Sequence, residues 1–210
     1  MPQPDRRLSS IRGFLSALEV LEWSPAGHVD PGIIPLLQGA GGDRRFLIRT
    51  VASWAQTLDK RQLQCHETST HYKWFVHYSE KLRYRVWLHQ YKPQAARRRG
   101  HAEVPHNHRY SLASILLRGG FVHHDYAWSD EGLIEVIEAR RRLSQGDAYS
   151  VSWSQIHRLS ELIDGTLTLV VESPAVRHYS EAFYEDEAGP RRFLDFVELH
   201  SRLLADVESA

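Results

Sequence analysis

This chain lacks the features that would tie it to a membrane, to nucleic acid or to a thiol-based site. Of its 210 residues one is cysteine, Cys65. A single thiol excludes an intrachain disulfide and a multi-thiolate zinc site, and it fits a reducing compartment. Lys plus Arg number 26 and Asp plus Glu number 26, so the formal net charge is +0. No overall field would draw the chain to nucleic acid or to an anionic bilayer. No apolar run approaches the roughly 20 residues of a membrane span. Met1–Ser10 is polar and basic, without a signal-peptide pattern. There is no internal repeat and no low-complexity tract. The expectation is a cytoplasmic protein, monomer or homodimer, whose partner is a small molecule.

What is abundant is histidine, at 13, with six tryptophans and nine tyrosines. Leu8, Ile11, Phe14, Leu15, Leu18 and Leu21 recur at spacings of three and four and predict an amphipathic helix. Ile33–Leu37 reads as a short helix before Gly39-Ala40-Gly41-Gly42, and Asp43 can cap another running through Trp54 to Leu58. From Thr70 the pattern turns to strands: 74–78, 83–91, 104–117, 120–126, 132–143, 148–154, 157–162, 165–173 and 177–184. In the second of these Arg85, Trp87 and His89 share one side, Tyr84, Val86 and Leu88 the other. Many short strands separated by turn residues indicate a sandwich or barrel. Phe193, Phe196, Val197, Leu203 and Leu204 predict a C-terminal helix. The expected division is a helical region over 1–65, a barrel over 66–188 and a helix over 189–210.

The chemistry concentrates around Val104-Pro105-His106-Asn107-His108-Arg109-Tyr110. Read as a strand, it projects His106 and His108 from one face, where two imidazoles can share a metal ion. His157, 49 residues after His108, lies between strand-like runs and supplies a third neutral ligand. His123 and His124 are further candidates, but adjacent residues point oppositely, so at most one faces the pocket. His101 sits in a loop. The runs Arg97-Arg98-Arg99 and Arg140-Arg141-Arg142 read as solvated, because nucleic-acid binding would need more basic residues with aromatic interleaving.

The stretch resembles the first motif of the cupins, G-x5-H-x-H-x3-4-E-x6-G, through Gly100, His106, His108 and Gly119 or Gly120. Gly146 and His157 match part of the second motif, whose proline and inner glycine are missing. The first motif's glutamate is also absent, since Leu112 and Ala113 hold its positions. The resemblance covers about residues 70–180. It implies a mainly β fold, the double-stranded β-helix or jelly-roll barrel, here with N-terminal helices and a C-terminal helix. A cupin with three histidines and no glutamate is similar to the cysteine dioxygenase group of thiol dioxygenases, which implies Fe(II) held by His106, His108 and His157, with O2 as co-substrate. Imidazole suits Zn and Ni as well.

The thiol-processing residues of that group are not matched. Its late-strand serine, histidine and tyrosine correspond to Thr168, Val170 and Glu172. Its substrate-binding arginine falls in Tyr72-Lys73-Trp74, and its cross-linked cysteine position is Ala113. The resemblance therefore implies an Fe(II) oxygenase of a small amino-acid-like metabolite other than cysteine, and a place in a specialised biosynthetic pathway is the expectation. The alternatives are a Zn or Ni cupin acting as a Lewis acid on an isomerisation, cyclisation or hydrolysis, and a non-enzymatic ligand-binding cupin. Expected substrate-binding residues are Arg85, Tyr72, Lys73 and Trp74. Arg83 shares the parity of Arg85. Glu172 and Tyr110 are the expected catalytic side chains, Tyr110 because it has the parity of the two histidines before it.

Overall fold

The computed structural model describes residues 11–21, 30–41, 65–97, 101–130, 132–184 and 190–194. Two helices, α1 (Ile11–Leu18) and α2 (Ile33–Gly41), precede the strands. The strands are β1 (Cys65–Glu67), β2 (His71–Tyr78), β3 (Arg85–Tyr91), β4 (Leu112–Arg118), β5 (Gly120–Ser129) and β6 (Gly132–Ser144). They continue with β7 (Ala148–Val151), β8 (Ile156–Ser160), β9 (Leu167–Glu172), β10 (Tyr179–Ala182) and β11 (Arg191–Leu194). The larger sheet has the order β1-β2-β3-β9-β4-β7, and the smaller ones are β6-β5-β8 and β10-β11. Every pairing is antiparallel. The fold is mainly β, in the jelly-roll arrangement.

β4 and β9 read as unbroken apolar runs because the larger sheet is covered on both faces. Leu112 and Leu116 of β4 join Val170 of β9 and Trp87 of β3 in a core between the sheets, closed from the smaller sheet by Phe121, Leu143 and Leu159. The alternate residues Ala113, Ile115, Leu117, Leu169 and Val171 pack with Phe14 and Leu18 of α1 and Ile33 and Leu37 of α2. Period-two alternation puts each set on its own side. The helices thus remove from water a face that a two-sheet sandwich would leave exposed. Gly41 permits the contact: a Cβ there would lie 2.1 Å from Ile115 Cδ1.

Several boundaries differ from the sequence reading. The stretch 104–117 is strand only from Leu112; before it His106 makes isolated bridges, and Pro105 has no N–H to give a ladder. β3 starts at Arg85 because Arg83 has φ 60, which breaks the extended backbone. β7 stops at Val151, where Ser152–Gln155 turns through a Gln155 N–H bond to Ser152 O. Arg191–Leu194 is a strand paired to β10, not the beginning of a helix. The helix expected after Asp43 and the remainder of the C-terminal helix lie outside the described residues, as do Leu8, Ser9 and Ser10 before α1.

The turn into β5 requires glycine. Gly119 has φ +76, and a Cβ there would meet Thr166 Oγ1 at 2.3 Å and the Thr166 backbone at 2.9 Å. Gly119→Ala is expected to lower unfolding free energy by about 2 kcal/mol or more, measured by denaturant titration. An unchanged midpoint would contradict the close approach.

Candidate metal centre and its cavity

The site is assembled by a single antiparallel bridge. His106 N–H donates to His157 O and His157 N–H donates to His106 O, both at 2.8 Å. The pair places the two rings 4.4 Å apart, centroid to centroid. Asn107, which is buried, pins the irregular segment from the other side. Its N–H donates to Glu181 O at 2.9 Å, and its side chain accepts from Glu181 N–H at 2.8 Å and donates to Glu181 Oε2 at 2.9 Å. Arg177 bonds both Asn107 Oδ1 and His108 O. Held in this way, His108 turns back toward His157, with their Nε2 atoms 2.9 Å apart.

His106, His108 and His157 offer ligand nitrogens that all lie within 4.8 Å of one another. His106 Nδ1 bonds Val104 O at 2.9 Å, so that carbonyl takes the Nδ1 proton and Nε2 keeps its lone pair. His157 Nδ1 lies 3.0 Å from His123 Nε2. Ligation through His157 Nε2 requires His157 to donate from Nδ1 to His123 Nε2, which puts the His123 proton on Nδ1. That atom faces Asp125 Oδ1 at 3.5 Å, which can accept it, and Arg141 Nη2 at 3.3 Å, whose hydrogen bond to His123 belongs to the other tautomer. Neighbouring nitrogens around an octahedral ion with bonds of about 2.1 Å lie about 3.0 Å apart. The 2.9 Å between His108 and His157 matches this, so the residues present fit a divalent first-row ion.

Burial sets the charge state of these rings. It pushes His106 down to about 4, against a smaller opposing effect of the Val104 carbonyl. His123 falls to about 3 through burial, then the nearby Arg141 guanidinium. The His106 and His123 imidazoles are therefore neutral, as a ligand and its support must be. His124 faces the other way, bonded to Glu135 and Ser160, each at 2.6 Å.

The triad lines a cavity of about 560 Å³. Its wall also carries a buried ion pair on the inner faces of β2, β3 and β9. Lys73 Nζ lies 3.0 Å from Glu172 Oε1, and Trp87 Nε1–H donates to Glu172 Oε2 at 2.9 Å. Tyr110 sits beside Lys73 and Glu172 and stacks on His108, with centroids 5.5 Å apart. Burial, the largest single effect, would lower the Lys73 ammonium, but Glu172 and Tyr110 together outweigh it and hold Lys73 above its ordinary value. Burial, then the Glu172 carboxylate, pushes the Tyr110 phenol up to about 12.

Of the expected substrate-binding residues, Lys73 and Arg85 line the cavity, with Arg85 NH1 4.0 Å from Glu172 Oε2. Tyr72 and Trp74 do not. They alternate with His71 and Lys73 along β2 and fall on its other face, where Trp74 is exposed. His71, His89 and Arg109 also line the cavity and went unassigned in the sequence. The parity of His71 with Lys73, and of His89 with Arg85 and Trp87, was the available signal. His71 and His89 each present a buried Nε2 without a hydrogen-bond partner. Burial, then Lys73, pushes His71 down to about 3.

No protein-family model matches the chain, and no curated protein matches it. Among solved structures it is similar to KdgF from Halomonas sp., at 17% identity over 55% of this chain and 92% of that chain, with a TM-score of 0.39. It is similar to an RmlC-like cupin from Shewanella frigidimarina, at 14% identity over 56% of this chain and 89% of that one, with a TM-score of 0.37. It also resembles oxalate decarboxylase of Bacillus subtilis, at 12% identity, 70% of this chain and a TM-score of 0.39, spanning 36% of that chain.

Two predictions come from this geometry. His108→Ala should abolish stoichiometric metal binding, while His123→Phe should weaken it by about ten-fold or more, both with an unchanged far-ultraviolet circular dichroism spectrum. Full metal content in His108→Ala would place the ion elsewhere. The second concerns acid. His71, His106 and His123 are neutral when folded, with values of about 3, 4 and 3, but titrate near 6.5 when unfolded. The unfolded chain therefore binds more protons between about pH 6.5 and 4. Metal-free protein should lose stability as pH falls through that window, by up to about 1.4 kcal/mol per pH unit for each group. Denaturant titrations at pH 7 and 5 giving equal stability would contradict neutral burial.

Proposed function

We propose that this chain is a mononuclear non-haem Fe(II) oxygenase of cupin type, acting on a small polar, amino-acid-like metabolite other than cysteine. The observation that carries the reading is the set of three imidazoles, joined by no carboxylate among the described residues, on a cavity large enough for such a metabolite. When bound, Fe(II) would supply the redox chemistry that reaction with O2 needs.

The chain's own residues divide the remaining work. Trp87, Leu112, Leu159 and Val170 give the cavity an apolar wall that limits water. Both Glu172 oxygens are already hydrogen-bonded, so Glu172 acts by fixing Lys73 and Trp87. A substrate amine would reach it only by displacing Lys73. Tyr110 keeps its phenolic proton at neutral pH, stacked on a ligand ring, and is placed to donate it to a substrate oxygen. Arg85, half-buried beside the pair, is the side chain placed to take the substrate's anionic group through two hydrogen bonds.

The test is metal analysis of purified protein followed by oxygen uptake after anaerobic Fe(II) loading, with amino acids, hydroxy acids and thiols as candidates. The reading predicts Fe(II)-dependent uptake that Zn(II) does not support, slow turnover of cysteine, and a rate lowered about ten-fold or more in Tyr110→Phe at full metal content. Efficient cysteine turnover would contradict the reassigned substrate. A three-imidazole set suits Zn and Ni too. Substrate turnover by Zn- or Ni-loaded protein without oxygen uptake would replace this reading with Lewis-acid catalysis.

A further inference from the structure

A second cavity, of about 310 Å³, lies beside the first, and Arg85 and Arg109 line both. Arg83, Arg177, His178 and Tyr78 complete its polar wall, and no carboxylate is among its lining residues within the described part of the chain. The chain as a whole is formally neutral, so four arginines in one pocket do not reflect a generally basic surface.

The pocket is built rather than incidental. The loop from Pro174 to His178 is locked to the metal-bearing segment by Val176 N–H, which donates to Arg109 O at 2.7 Å. Arg83 stands in the left-handed region at φ 60, where glycine would be unstrained. The tight turn displaying it is closed by Arg83 N–H to Ser79 O at 2.7 Å and Ser79 N–H to Tyr84 O at 3.0 Å. Arg177 is committed to Asn107, His108 O and Glu181, and so forms wall. Arg85 meets Glu172 only at 4.0 Å, and that carboxylate already has Lys73 at 3.0 Å.

We infer that this arginine pocket binds a dianionic phosphoryl group through Arg83, Arg85 and Arg109. One guanidinium fork satisfies a carboxylate, whereas three forks lining one pocket suit a tetrahedral dianion. Because Arg85 and Arg109 belong to both cavities, the group is the charged end of a molecule whose other end reaches the histidine triad. That second statement rests on the proposed function; the anion site itself does not.

Calorimetric titration of metal-free protein with inorganic phosphate, and with acetate at equal ionic strength, tests the site. Phosphate should bind at least about ten-fold more tightly than acetate. Arg83→Gln and Arg109→Gln should each weaken it by about ten-fold or more. Arg85→Lys, which keeps the charge and loses the fork, should weaken it too, and the distant Arg118→Gln should leave it unchanged. Equal affinity in Arg83→Gln and Arg118→Gln, or acetate bound as tightly as phosphate, would overturn the site. In Co(II)-loaded protein the bound phosphate's 31P line should broaden relative to Zn(II)-loaded protein, and equal linewidths would overturn the shared-substrate geometry. Phosphate binding of this kind in a protein that consumes no O2 would leave the anion site standing and remove the oxygenase reading.

Discussion

The pair of backbone hydrogen bonds between His106 and His157 is the constraint on which the site depends. His106 lies in a segment that Pro105 keeps out of any continuous strand, and His157 lies within β8 of the smaller sheet. Without the bridge the ligands would belong to separate, independently moving parts of the chain. With it, the donor atoms are fixed by main chain on one side and by Asn107 and Glu181 on the other. The backbone carries the geometry and the side chains are left for chemistry, which is the arrangement a preorganised centre needs.

The larger sheet supplies the other half of that rigidity. Its central strands are buried on both faces, by α1 and α2 outside and by the inter-sheet core inside. A strand held from both sides cannot shift register without moving every side chain to the wrong face. That is why β2, β3 and β9 can carry Lys73, Trp87 and Glu172 inward as a buried, hydrogen-bonded group. A buried carboxylate of this kind is tolerated because its oxygens are both satisfied and its charge is matched nearby. The network shares one cavity with the histidine triad, with Tyr110 beside both.

Much of this was legible in the sequence where the information is local. The H-x-H spacing and the later His157 named the three rings, and two-residue alternation put Arg85, Trp87 and His89 on one face. The mainly β architecture with N-terminal helices followed from the change of apolar period near Thr70. Other parts depend on partners distant in the chain. Asn107 matters only because Glu181 arrives beside it, and Arg191–Leu194 is a strand only because β10 lies next to it. Tyr72 and Trp74 were grouped with Lys73 by family likeness, although alternation along a strand already forbade all three from facing one cavity. The same alternation applied to His71 would have added it to the wall.

The central claim is a single ion held by imidazole nitrogen alone. Anomalous diffraction from crystals of metal-loaded protein tests it most directly. The account predicts one strong peak per chain, at bonding distance from the Nε2 atoms of His106, His108 and His157, with no Asp or Glu oxygen coordinated. A peak elsewhere in the chain, or a carboxylate bound to the ion, would contradict it.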